Sequence, residues 1–270
     1  MEGFFKNTNM NKINAKLKQI AKENRIGLMT HIVIGYPNIE ESSKIVDVMV
    51  ENGADFIELQ IPFSDPMADG PTIMKANKIA LDQKTTVRDG LALMSRLSAK
   101  YPEFPFLFMT YFNIVHKYGV EEFCKAAAKA GCPGLIVPDI PLEEEAQEHY
   151  QYFCRASGLY GIRLLSPAST TERIELNSKV AQGFMYLSAK QGITGASREL
   201  DPKLINNIEK IKRISKLPLA VGFGISEAKH IQALKNHADI AIVGSALIDI
   251  YNKKGLDGIR SKMLEYTKLH

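Results

Sequence analysis

Apolar and polar residues along this chain switch between two periods, and the switch repeats. Residues 11–23 place Ile13, Leu17, Ile20 and Ala21 at helical spacing. The run Gly27-Leu-Met-Thr-His-Ile-Val-Ile34 reads as a strand, closed by Gly35-Tyr-Pro37. Residues 40–52 return to helical spacing through Ile45, Val46, Val48 and Met49, with Gly53 as the stop. Phe56, Ile57, Leu59 and Ile61 form a second strand, which ends where Pro62, Pro66, Gly70 and Pro71 forbid regular structure. The spacing predicts helices over 73–81 and 87–99. Beyond Pro102 it predicts strands over 105–110, 134–137, 160–165, 183–187, 217–221 and 239–243. Helices over 120–130, 142–156, 171–181, 202–215 and 226–236 separate them, and a last one runs from 246 to the C-terminus.

Strict alternation of strand and helix implies a parallel sheet covered by helices. Eight such units in about 250 residues, with one extra helix in front, is the arithmetic of a (β/α)8 TIM barrel. An open doubly wound sheet would want Gly-x-Gly-x-x-Gly after its first strand, and Gly35-Tyr-Pro37 does not supply it. No linker or low-complexity tract interrupts the pattern, so residues 1–270 are expected to form a single domain.

Composition narrows the classes. The chain has 270 residues, 45% of them apolar, enough for a full core. A net charge of +4 is scattered over 34 basic and 30 acidic residues without a basic block, which argues against nucleic acid as a partner. No apolar run nears the roughly 20 residues that span a bilayer, and no signal-peptide core is visible. Cys124, Cys132 and Cys154 match no zinc spacing and read as reduced, packed thiols, so the expected address is cytoplasmic. His116, His149, His230, His237 and His270 fall on helices or helix edges and read as surface residues.

In such barrels the chemistry sits at the C-terminal ends of the strands. Those ends carry His31, Glu58, Gln60, Tyr111, Asn113, Asp139, Tyr186, Gly222, Gly224, Gly244 and Ser245. Strand parity puts Phe56, Glu58 and Gln60 on one face. Glu58 lies among apolar residues, and Asp65 and Asp69 follow in the loop, a set suited to acid/base work. The plainer reading pairs Glu58 with a buried cation and leaves the loop acids to cap turns. Asp139, between prolines, either caps a turn or touches substrate. Val221-Gly-Phe-Gly-Ile-Ser226 and Val243-Gly-Ser-Ala-Leu247 each end a strand and open a helix. Either glycine set could merely permit a tight turn. On adjacent late strands they point together to phosphate, held by backbone N–H groups at helix N-termini. The run Lys190-Gln-Gly-Ile-Thr-Gly-Ala-Ser-Arg198 reads as a lid presenting Thr194.

Several of these stretches carry a family resemblance. Pro62-Phe-Ser-Asp-Pro-Met-Ala-Asp-Gly-Pro-Thr-Ile73 resembles, without a break, the loop that follows a Glu-Leu-Gly strand in tryptophan synthase α chains. Gly35-Tyr-Pro37, Met109-Thr-Tyr-Phe-Asn113, Tyr118-Gly-Val-Glu121, Gly134-Leu-Ile-Val-Pro-Asp-Ile-Pro141, Gly192-Ile-Thr-Gly195, Gly222-Phe-Gly-Ile-Ser226 and Val243-Gly-Ser-Ala246 are similar to other segments of that family. The resemblance implies retro-aldol cleavage of indole-3-glycerol phosphate to indole and glyceraldehyde 3-phosphate, with no cofactor. It implies Glu58 as the general acid/base and Asp69 as the holder of the indole N–H. Tyr186 would line the reacting centre, with Tyr111 and Asp139 nearby, and Thr194 would help position Asp69. Gly195, Gly224, Gly244 and Ser245 would hold the phosphate. The implied partner is a pyridoxal-phosphate β chain in an α2β2 heterotetramer, docked near the 62–71 loop.

Three features depart from the family pattern. Gln60 stands where the family has glycine, His31 where an aromatic or small residue is usual, and Lys190 and Gln191 precede the lid. Beside Glu58, the Gln60 amide is expected either to hydrogen-bond that carboxyl or to narrow the indole pocket. Two other readings stay open: an aldolase or isomerase of the same barrel type on another phosphorylated metabolite, and a catalytically weak regulator of a β chain.

Overall fold

In the computed structural model, which describes residues 10–188, 200–222 and 224–268, eight parallel strands close into a barrel in sequence order. They are β1 (Gly27–Val33), β2 (Phe56–Gln60), β3 (Phe106–Met109), β4 (Gly134–Ile136), β5 (Tyr160–Leu165), β6 (Met185–Ser188), β7 (Leu219–Gly222) and β8 (Ile240–Val243). β8 pairs back onto β1, so no edge remains to recruit another chain. The strands are apolar on both faces because the barrel separates two cores. Phe56, Leu107, Ile136, Ile162, Phe184 and Ile240 pack inside. Ile57, Leu59, Phe106 and Phe108 pack outward against the helical layer.

The helix Lys12–Lys22 closes the bottom of the barrel. Its Ile13 and Ile20 belong to the interior core. Asn11 Nδ2 donates to Pro133 O at 3.0 Å and to Gly158 O at 3.4 Å, and Asn14 Nδ2 donates to the Tyr160 hydroxyl at 2.8 Å. Gly134 makes room for this seat: a Cβ there would stand 2.9 Å from Ile13 Cδ1 and from the Tyr160 carbonyl oxygen. At the same end Arg25 grips the buried Asp55 through two hydrogen bonds of 2.6 and 2.7 Å, and Asp55 Oδ2 also accepts the Leu28 N–H at 2.9 Å.

The helical layer differs from the sequence expectation in four places. A helix over Phe112–Tyr118 stands where no element was expected. Asp139 accepts the N–H of Phe112 at its first turn, 2.8 Å away, so a cap 27 residues downstream supports it. The predicted 142–156 helix is broken: Leu142–Glu144 is 3-10, and His149 takes a left-handed conformation between Glu145–Glu148 and Tyr150–Ala156. Glu145 then accepts the N–H groups of Gln151 and Tyr152 at 2.8 and 3.0 Å, starting the second piece afresh. The last helix, Ser245–Thr267, is kinked at Gly255, whose φ of 59° only glycine adopts without strain. His230 is buried rather than on the surface; its Nδ1 accepts from the N–H groups of Ser226 and Glu227. Cys124, Cys132 and Cys154 are free and buried, as expected, and burial pushes the Cys132 thiol up to about 12.

Candidate active site

A cavity of about 430 Å3 opens at the C-terminal end of the barrel. One wall is acidic, formed by Glu58 from β2 and Asp69 from the following loop. Another part of the wall is formed by Gly222, Gly224, Gly244 and Ser245 at the ends of β7 and β8. Met109, Leu164, Ile225 and Ile242 make the floor and sides apolar. Strand parity locates Glu58, but no local motif singles out these four apolar residues, which only barrel closure brings together.

Three contacts shape the loop carrying Asp69. The Phe63 N–H donates to Asn77 Oδ1 at 2.9 Å, the Ala68 N–H to the Tyr111 hydroxyl at 3.0 Å, and Gln60 Nε2 to Asp69 Oδ2 at 2.7 Å. Phe63 also stacks on Tyr111 with ring centroids 5.1 Å apart. Pro71 then opens the helix Pro71–Asp82, where its missing N–H costs nothing. At the loop tip Met67 is 83% exposed.

Glu58 is buried, 1% exposed. The register of β1 on β2 sets His31 directly opposite it, and Glu58 Oε2 lies 2.9 Å from His31 Nδ1. Glu58 Oε1 has no hydrogen-bond partner among the described residues. The Tyr186 phenol is pushed well up, first by burial and then by the charges of Glu58 and Asp69. The expected contact of Gln60 with Glu58 is corrected here. His31 stands between them, its Nε2 3.0 Å from Gln60 Oε1, while the Gln60 NH2 turns to Asp69. Gln60 thus links His31 to Asp69.

The other expected residues divide. Gly224, Gly244, Ser245, Tyr186 and His31 line the cavity. Tyr111 supports the loop from behind, and Asp139 is engaged with the Phe112 N–H, its carboxyl raised by burial. Thr194 and Gly195 lie outside the described residues.

The turn from β8 into the Ser245–Thr267 helix presents the N–H groups of Ser245 and Ala246, which have no partner within the helix, in a geometry that could hold an anion. A Cβ at Gly244 would meet His31 Cβ at 3.5 Å and Ile73 Cδ1 at 3.7 Å, ordinary contact distances. Alanine therefore fits there, whereas the branched methyls of Gly244→Val would crowd the anion position. We expect Gly244→Val to weaken glycerol phosphate binding tenfold or more, about 1.4 kcal/mol, and to spare binding of an unphosphorylated indole analogue. Calorimetric titration of both ligands checks this; equal weakening would mean the segment does not bind phosphate.

Comparison with known proteins agrees along the whole barrel. The profile of the family described as Tryptophan synthase alpha chain matches residues 17–268. The chain is 43% identical to the tryptophan synthase alpha chain of Desulfotalea psychrophila over 239 residues, 88% of this chain and 93% of that protein. It is 39% identical to that of Methanocaldococcus jannaschii over 242 residues, 90% and 85% of the two chains. A Mycobacterium tuberculosis tryptophan synthase structure superposes with a TM-score of 0.88 at 32% identity, covering 96% of this chain and 98% of that one. The Legionella pneumophila subunit alpha gives 0.87 at 31% identity, covering 97% and 98%.

Proposed function

The chain belongs to the tryptophan synthase alpha chain family, and on that basis we propose that it cleaves indole-3-glycerol phosphate to indole and glyceraldehyde 3-phosphate. It is a carbon–carbon lyase acting in tryptophan biosynthesis. One observation carries the assignment of its residues: Glu58 and Asp69 share a cavity with the glycine-framed ends of β7 and β8. An aromatic substrate with a phosphate tail fits such a cavity in one direction. The phosphate takes the N–H groups at Gly244 and Ser245, with Gly224 beside them. The indole rests on Met109, Leu164 and Ile242, and its N–H meets Asp69.

The reaction needs a proton delivered to indole C3, a base for the ring N–H, and a base for the glycerol hydroxyl. Glu58 arrives carrying a proton and gives it to C3, while Asp69 takes the ring N–H proton. The C3–C bond then breaks as its electron pair returns to the ring. Asp69 gives its proton back to nitrogen. The hydroxyl proton passes to Glu58, and the O–H pair becomes the aldehyde C=O. Tyr186 packs beside this centre. Thr194 and Gly195 are assigned to the same site, as lid and phosphate ligand, by family resemblance alone.

The test is release of indole by the purified chain, run beside a panel of sugar phosphates. Turnover of another phosphorylated metabolite, with indole-3-glycerol phosphate untouched, would make the chain a different aldolase of the same fold. We assign it a tryptophan synthase β chain as partner, in an α2β2 assembly. The exposed 62–71 loop with Met67 at its tip supports that surface. Co-elution with a β chain, lost on Met67→Glu, checks it. No helix among the described residues is long and apolar enough to cross a membrane; a cytoplasmic address and a single domain over residues 1–270 complete the reading.

A further inference from the structure

The run Glu58–His31–Gln60–Asp69 joins the two acids of the site through His31 and Gln60, and its hydrogen bonds determine their own polarity. Asp69, as the carboxylate that accepts the indole N–H proton, only accepts hydrogen bonds. The Gln60 group facing it at 2.7 Å must therefore be the NH2. Gln60 then turns its carbonyl to His31 Nε2, 3.0 Å away, and Nε2 must carry a hydrogen. Only Nδ1, 2.9 Å from Glu58 Oε2, is left free to gain or lose one. Glu58 Oε1, without a partner among the described residues and with the Tyr186 phenol beside the carboxyl, is the oxygen left for substrate.

We propose that His31 stores the second proton of the cleavage reaction, acting through Glu58 as a positioning residue, and that the Asp69–Gln60 contact fixes Nδ1 as the storing nitrogen. The inference rests on the retro-aldol reading above. Its steps balance. Before reaction Glu58 bears a hydrogen on Oε1, and His31 is an imidazolium donating Nδ1–H to Oε2. As the Oε1 proton moves to C3, the Nδ1 proton moves onto Oε2, so Glu58 stays neutral and His31 becomes the Nε2–H imidazole. As the C–C bond breaks, the glycerol hydroxyl proton returns to Oε1 and the Oε2 proton to Nδ1. A carboxyl only 1% exposed thus never bears an unshared charge.

The surroundings favour a charged His31. Burial pulls the imidazolium down; the Glu58 oxygen that accepts from Nδ1, the charge of Asp69 and the Gln60 carbonyl at Nε2 hold it up, so its pKa lies above the ordinary 6.5. Tyr186, Ser188, Ser245, Tyr36 and Tyr251 are the other polar or titratable side chains lining the cavities it faces, and none is cationic. The stored proton is therefore present below 6.5 and lost as pH rises through the raised value, which gives turnover a basic limb above 6.5.

Two measurements on the full chain decide the matter. In a 15N-histidine pH titration, with His31 identified by its absence from His31→Phe, Nε2 should stay protonated throughout and only Nδ1 should titrate. In Gln60→Leu both tautomers should appear. Loss of the Nε2 proton in the wild-type chain overturns the proposal whether or not indole is released. In kinetics, His31→Gln keeps a donor to Glu58 but cannot store a proton. The expected result is a kcat about 100-fold lower, KM within about threefold, and no basic limb. A wild-type kcat and profile in His31→Gln would make His31 a structural contact only, leaving the retro-aldol assignment untouched. Absence of turnover in the wild-type chain would sink that assignment and the storage role with it.

Discussion

Glu58→Gln should lower indole release by about 100-fold or more while the barrel stays folded. General acid/base groups typically supply roughly 10²–10⁴-fold, and Glu58 is the one carboxyl on the strand face that the cavity exposes. Glutamine keeps the volume, and its carbonyl can still accept from His31 Nδ1, so packing around β1 and β2 has no reason to change. The loss should appear equally in kcat and kcat/KM, because the missing proton transfer matters only in the transition state. Retention of more than about a tenth of the wild-type rate removes Glu58 from the mechanism.

The largest stability effect is expected at the other end of the barrel. Asp55 is 3% exposed, takes two hydrogen bonds from Arg25, and accepts the Leu28 N–H of β1. Asp55→Ala takes two hydrogen bonds from a half-buried guanidinium whose pKa is raised chiefly by its hydrogen bonds to Asp55, leaving it with Glu23 and the Ile26 carbonyl, and it orphans the Leu28 N–H. Breaking one side of a buried pair costs about 3–5 kcal/mol. The urea midpoint of unfolding should fall accordingly. Because Glu58 lies further along β2, on the cavity side, kcat of the remaining folded protein should hold. A loss under about 1 kcal/mol would show that Arg25 finds water or Glu23 instead; Glu23 already lies 2.5 Å from Arg25 Nε.

The barrel was legible because its signal is repeated and local. Each strand is a short apolar run buried on both faces, and each helix carries its own period. What the sequence hid depends on distant partners. The Phe112–Tyr118 helix is seven residues long and draws its cap from Asp139, so no capping residue precedes it. The break at His149 needs a left-handed residue that is not glycine. At the site, parity correctly placed Gln60 on the Glu58 face. It could not show that the β1–β2 register sets His31 opposite Glu58, and that position decides which hydrogen bonds form. Asp139 and Tyr111 sit at strand ends as the barrel rule predicts, yet each accepts a backbone N–H, from Phe112 and Ala68 respectively.

The helix that stoppers the barrel also ties together parts of the chain that are synthesised far apart. Asn11 and Asn14 find their partners 122 to 147 residues downstream, and Ile13 and Ile20 are buried only against strands from both halves. An emerging amino-terminal half can pair β1 to β3, but its first helix has nowhere to seat until β5 arrives. The earliest segment made is thus among the last to dock, and loop closure must precede the reward of burial. A fragment ending before residue 158 would keep its strand propensities and still expose that helix's apolar face. Fragments of this chain should become protected cooperatively, as pairs, and not one βα unit at a time.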